Sequence, residues 1–221
     1  MTDRRHAGGT GVLVLLDVDS TLIEDEVIEL LAEEAGSRDL VETITAAAMN
    51  GELDFEESLR ARVRTLAGLD EAAIQRVRDR ITVTDGVPAM IAGVHAAGGY
   101  VAVVSGGFHE ILDPLAIRLG LDRYRANRLE VRDGLLTGEV SGPVIDAAAK
   151  ASTLREWAAE FGVPLSQTVA IGDGANDLDM MALSGLSVAF DAKAPVRGQA
   201  DIVMDLRDLS QVLTLLGLPR P

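Results

Sequence analysis

The sequence contains no cysteine, which excludes disulfides, thiolate metal sites and a cysteine nucleophile. Histidine is nearly absent: His6, His95 and His109 are scattered, without the paired spacing of a zinc site. Any metal should therefore be held by oxygen, which favours Mg²⁺ or Ca²⁺. Aromatic residues make up only 3% of the 221 residues, so the 48% that are hydrophobic must build a core of Leu, Val, Ile and Ala. That fraction is too high for global disorder. Positive charge is the minority sign: 20 Lys and Arg stand against 35 Asp and Glu, a formal charge of −15. So acidic a surface repels nucleic acid and anionic membranes. No apolar run is long enough to span a bilayer, and residues 1–9 lack the apolar stretch of a secretory signal. Residues 1–10 read as a mobile tail, and the protein as cytoplasmic.

Apolar, β-rich runs punctuate the chain at Val12–Leu16, Tyr100–Val104, Thr168–Ile171 and Leu186–Phe190, with a shorter Asp201–Met204 after them. Helical patterns alternate with them at Val87–Ala97, Phe108–Leu119, Ala147–Phe161, Asp177–Leu183 and Leu206–Leu216. Alternation of this kind predicts an α/β fold, a parallel sheet with helices on both faces. Residues 24–82 break the pattern. They show helical periodicity and no strand, divided by Gly36, Asn50-Gly51 and Gly68. They read as an inserted helical cap, leaving 11–23 and 83–217 as the core. Within Arg128–Val140, Asp133-Gly134 flanked by apolar residues signals a small β-hairpin.

Chemistry-bearing residues cluster where strands end. Asp17 and Asp19 follow the first apolar run, at the C-terminal end of a strand, where open α/β sheets bind ligands. Two carboxylates there need an offsetting charge, and a hard cation is the obvious one. Ser105-Gly106-Gly107 follows the second run, with small residues that let backbone N–H groups approach an anion at a helix start. Lys150 lines up with Leu154, Trp157 and Phe161 on the inward stripe of its helix, either snorkelling to solvent or aimed at an anion. Gly172-Asp173-Gly174-Ala175-Asn176-Asp177 follows a third run. Each element alone has an ordinary explanation as a turn or a cap; four in one sheet point to a site.

These four motifs, in this order, resemble those of the haloacid dehalogenase superfamily, and within it the phosphoserine phosphatase family. The cap segments Ala48-Met49-Asn50-Gly51 and Phe55–Val63 carry the closer likeness. The resemblance implies a Rossmann-like core and hydrolysis of O-phospho-L-serine, the last step of serine synthesis from a glycolytic intermediate. It implies Asp17 as the nucleophile that becomes an aspartyl-phosphate, and Asp19 as the acid that protonates the leaving serine and then activates water. It further implies Mg²⁺ held by the Asp17 side chain, the Asp19 carbonyl and Asp173, with Asp177 supporting the metal. Ser105, Gly106, Lys150 and Asn176 would bind the phosphoryl group, and Met49 and Phe55 would wall the substrate.

For the substrate carboxylate, periodicity chooses among three arginines. Phe55, Leu59 and Leu66 share a helix face with Arg62 in its middle, while Arg60 and Arg64 point away. An arginine centred on an apolar face needs a partner, and a carboxylate serves bidentately. For the ammonium, Glu24, Asp25 and Glu26 all qualify by position; the family likeness selects Glu26. Val18 stands where the family often has Phe, with little expected consequence. No amino-acid-binding regulatory domain precedes the catalytic part, so feedback through one is not expected. Two rival readings use the same motifs: a phosphotransferase or phosphatase of this fold acting on another small phosphate ester, and, more remotely, a phosphoaspartate signalling receiver.

Overall fold

The structure is a computed structural model that describes residues 11–49 and 52–219, without the Met49 side chain. The tail 1–10, Asn50 and Gly51 lie outside the described residues. Strand β1 (Leu13–Leu16) is wholly buried, and its side chains divide by the two-residue period. Val14 and Leu16 enter one core, Leu13 and Leu15 the other. Burial on both faces is why this run is apolar without alternation.

After an irregular helical turn at Val18–Leu22 come four helices, α1 (Val27–Ala35), α2 (Arg38–Met49), α3 (Phe55–Arg64) and α4 (Ala72–Arg80). The chain enters and leaves this block through a paired neck. Ile23 bridges Val83, Glu24 N donates to Thr82 O, and Thr84 N donates to Leu22 O. Then follow α5 (Val87–Ala96), β2 (Tyr100–Phe108), α6 (His109–Leu119), β3 (Arg123–Arg132), β4 (Leu135–Ser141) and α7 (Ala147–Phe161). The chain finishes with β5 (Thr168–Gly172), α8 (Leu178–Leu183), β6 (Leu186–Phe190), α9 (Ala194–Arg197), β7 (Ile202–Met204) and α10 (Gln211–Leu215).

The sheet order is β4-β3-β2-β1-β5-β6-β7, parallel except for the β3–β4 hairpin. Leu16 sits beside Val103 of β2 and Ile171 of β5. Asp17 therefore leaves β1 between two strand ends, at the point where strand order reverses. That is where a crevice opens in sheets of this type.

Three elements differ from the sequence expectation. Strand β2 runs on through Ser105-Gly106-Gly107 to Phe108, and its helix begins at His109. Asn127 holds this extension by donating to Gly106 O. Strand β3 begins at Arg123, five residues before the expected hairpin. Its outward arginines, Arg123 and Arg125, pair with Glu160 and Glu156 and mask the strand in an apolar-run search. The last helix is cut to Gln211–Leu215. Leu209 N donates to Asp85 O and Asp208 accepts from Ser210 N, a local turn that competes with helix.

Candidate active site

Asp17 is fixed on every side. Its N–H donates to Ile171 O at 2.9 Å, and its Oδ1 accepts from Val18 N at 2.7 Å and Lys150 Nζ at 2.8 Å. All these side-chain contacts use Oδ1, which leaves Oδ2 for the cavity. Lys150 comes from the first turn of α7, whose N-cap is Asp146. It is fully buried and bridges Asp17 to Asp177, the latter also at 2.8 Å. Its ammonium is thus aimed at anions and does not snorkel. Asp177 Oδ2 accepts from Gly174 N at 3.1 Å. A side chain at residue 172 would overlap the Asp177 carboxylate, so glycine is required there.

Asp17, Asp173 and Asp177 each offer an oxygen within 4.8 Å of the others. Three carboxylates around one lysine leave excess negative charge, and hard oxygen donors suit a divalent cation. Both oxygens of Asp177 already accept hydrogen bonds, so Asp17 and Asp173 are the less committed pair. Asp19 Oδ1 adds a buried oxygen with no partner among the described residues. The residues present fit a metal ion.

The electrostatics agree. Burial, with help from Asp177 and Asp173, pushes the Asp17 carboxyl up to about 8, although Lys150 pulls the other way. Burial and the neighbouring Glu26 and Asp17 raise Asp19 well above the carboxylate range. Asp173 is raised to about 6 by burial, Asp177 and Glu26, with Lys193 and Lys150 opposing. Burial alone would lower Lys150, but Asp17 and Asp177 overcome it and raise it.

Above these groups lies a cavity of about 510 Å³. Asp17, Asp19 and Asp173 line it together with Ser105, Gly106 and Asn176. Ser105 Oγ accepts from Gly107 N at 2.8 Å, which turns its own hydrogen elsewhere. The Phe55 ring lies against Gly106, where a methyl group would meet it at 3.0 Å. From the helical block, Arg62, Phe55, Ser58 and Leu59 also line the cavity, and so does Glu26, at the entry to α1. Burial lowers the Arg62 guanidinium, against the pull of Glu26 and Asp19. Arg60 pairs with Glu56 on the outside, and Arg64 lies 3.9 Å from Glu139. Of Glu24, Asp25 and Glu26, only Glu26 lines the cavity; Asp25 instead accepts from Thr82 N. The Met49 side chain is outside the described residues.

Sequence reasoning passed over several residues here. Ser20 Oγ donates to Glu26 Oε1 at 2.7 Å and orients it. Asn127 donates to Gly106 O and accepts from Ile145 N, both at 2.8 Å, so it joins the Ser105 strand end to the approach to α7. Lys193, after β6, lines the cavity. The signal for Lys193 was compositional, in a chain that otherwise uses arginine. Asn127, inside an unrecognised strand, gave no signal.

A carboxylate cluster thus stands at the switch point of a parallel α/β sheet. A family model described as haloacid dehalogenase-like hydrolase matches residues 14–182, and the chain belongs to that family. Relatives within the family include proteins named phosphoserine phosphatase. The one from Streptomyces coelicolor is 55% identical over 94% of this chain, which spans about half of that relative's length (51%). The one from Streptococcus thermophilus is 48% identical over 92% of this chain and 95% of its own. Among solved structures, a phospho-aspartyl intermediate analogue of phosphoserine phosphatase superposes with a TM-score of 0.88 at 44% identity, over 93% of this chain and 98% of that one. No helix among the described residues is long and apolar enough to cross a membrane.

Proposed function

We propose that the protein hydrolyses O-phospho-L-serine to L-serine and phosphate, with Mg²⁺ at the carboxylate cluster. The observation that carries this reading is the shared lining: Arg62 and Glu26 line the same cavity as Asp17 and Asp19. Arg62 and Glu26 offer one cation and one anion, as a zwitterionic amino-acid end requires; the Asp17–Asp19 pair suits phosphate chemistry.

In this reading Asp17 Oδ2 attacks phosphorus and the bond from phosphorus to the serine oxygen breaks. Asp19 gives its proton to that oxygen. Its raised carboxyl suits it to hold a proton until the alkoxide departs. Asp19 then takes a proton from water as the water attacks phosphorus, which frees phosphate and restores the Asp17 carboxylate. Ser105 and Asn176 orient the phosphoryl oxygens, and Lys150 fixes the nucleophile while offsetting its charge. When bound, the cation supplies positive charge that stabilises the phosphoryl oxygens and keeps Asp17 ionised. The helical block 24–82 acts as a cap that excludes water during the first transfer.

Phosphate release from a panel of phosphorylated small molecules, with and without Mg²⁺, tests the proposal. Phosphoserine should be the preferred ester and chelation should stop turnover. A strict requirement for an acceptor alcohol would instead make the protein a phosphotransferase.

A further inference from the structure

Lysine occurs twice in 221 residues, against eighteen arginines. One is Lys150, buried against Asp17; the other is Lys193, which lines the cavity that Asp17 lines. A chain that meets nearly every other demand for positive charge with arginine has placed both its ammonium groups at one site. An ammonium differs from a guanidinium in being compact and strongly hydrated, a point charge that contacts phosphate without a fixed fork.

The loop that carries Lys193 is firmly built. Asp191 sits at φ 43°, a left-handed conformation uncommon for a side chain, and its N–H donates to Met204 O at 2.8 Å. Its carboxylate accepts from Arg207 at 2.7 Å. Ala192 is buried, and Lys193 N donates to Asp173 O at 3.2 Å. The backbone of Lys193 is thereby pinned to the loop that carries the carboxylate cluster. The Lys193 side chain is exposed and makes no hydrogen bond or ion pair among the described residues. By contrast, Lys150 is spent on Asp17 and Asp177.

An incoming phosphate monoester dianion meets Asp17, Asp19, Glu26 and Asp173 on a protein of formal charge −15. We propose that Lys193 is a binding residue for the phosphate dianion, drawing it into the cavity and holding it there. The proposal rests on the cavity being a phosphate-ester site, and not on serine being the alcohol. In a cleft with this many acids, a positive charge that makes no side-chain hydrogen bond or ion pair adds to capture, and that effect is screened by salt.

The test compares K193Q and K193R with the parent protein, all Mg²⁺-loaded, on O-phospho-L-serine and on p-nitrophenyl phosphate. Inorganic phosphate binding, measured by calorimetry, gives a readout independent of turnover. K193Q should lower kcat/KM for both esters roughly 5- to 20-fold at low ionic strength, narrowing to about twofold at about 0.5 M salt. Phosphate affinity should fall in parallel, and K193R should retain most of both. Four results would overturn the proposal: effects within about twofold throughout; an equal loss in K193R that ignores salt; a loss confined to phosphoserine; or a loss abolished by more Mg²⁺. If the parent protein cleaves only the nitrophenyl ester, phosphoserine fails as the substrate, while that ester and phosphate still decide the role of Lys193.

Discussion

At the scale of single residues, Arg62 shows how far a helical period can be read. Three arginines alternate along α3; the apolar face selected the middle one, and Arg62 alone of the three lines the cavity. Its exposed neighbours are occupied with Glu56 and Glu139. Arg62→Ala should cut kcat/KM for phosphoserine by roughly 100-fold, ~3 kcal/mol, because a charge pair loses one member. A phosphate ester without a carboxylate should be almost unaffected, and steady-state kinetics on both esters check this. The ammonium partner shows the opposite limit. Glu24, Asp25 and Glu26 are adjacent acids in a stretch without regular period, so position along the chain could not separate them. The separation comes from the neck, where Asp25 accepts from Thr82 N, and from Ser20, whose hydroxyl donates to Glu26, the one of the three that lines the cavity.

At the scale of elements, the strands buried on both faces, the short last strand and the hairpin turn were legible, and the first half of β3 was not. Leu13–Leu16, Thr168–Gly172 and Leu186–Phe190 advertise themselves because neither face meets water. Residues 123–127 hide because Arg123 and Arg125 serve Glu160 and Glu156, and with them went Asn127. The helix that carries Arg62 depends on local chemistry at its start. Asp54 and Glu57 form a reciprocal capping box there. Asp54→Ala should destabilise the protein by ~1 kcal/mol, lowering its melting temperature by roughly 2–4 °C. It should raise the KM for phosphoserine more than it lowers kcat, since Phe55 and Arg62, which line the cavity from this helix, are loosened. Differential scanning calorimetry with paired kinetics separates the two effects. The far end of the helical block is also tied down: Gly68 N donates to Leu136 O and Leu136 N to Leu69 O, so the loop after α3 rides on the edge of β4.

At the scale of the whole molecule, the acid cluster couples stability to pH and metal. The folded pKa values of Asp17 (about 8) and Asp173 (about 6) lie above those of an unfolded chain. Between the ordinary value of 3.8 and these values the folded state binds more protons than the unfolded one. The sign of the linkage is therefore negative: stability in the metal-free protein falls as pH rises from about 4 to about 8. A divalent cation takes over the protons' role, so Mg²⁺ should stabilise the protein most near pH 8 and least near pH 5. Melting curves across pH with chelator and with Mg²⁺ would show this. A metal-free protein that is steadily more stable toward pH 8 would contradict it. The same excess of acid explains why so much positive charge converges on one cavity in an otherwise negative molecule.

The most direct measurement is a rapid quench of the Mg²⁺-loaded protein with ³²P-labelled phosphoserine, followed by peptide mapping. Label should appear as an acid-stable, base-labile acyl phosphate on Asp17, and Asp17→Asn should neither carry label nor release phosphate while remaining folded. Turnover without label on residue 17, or near-normal turnover by Asp17→Asn, would contradict the account.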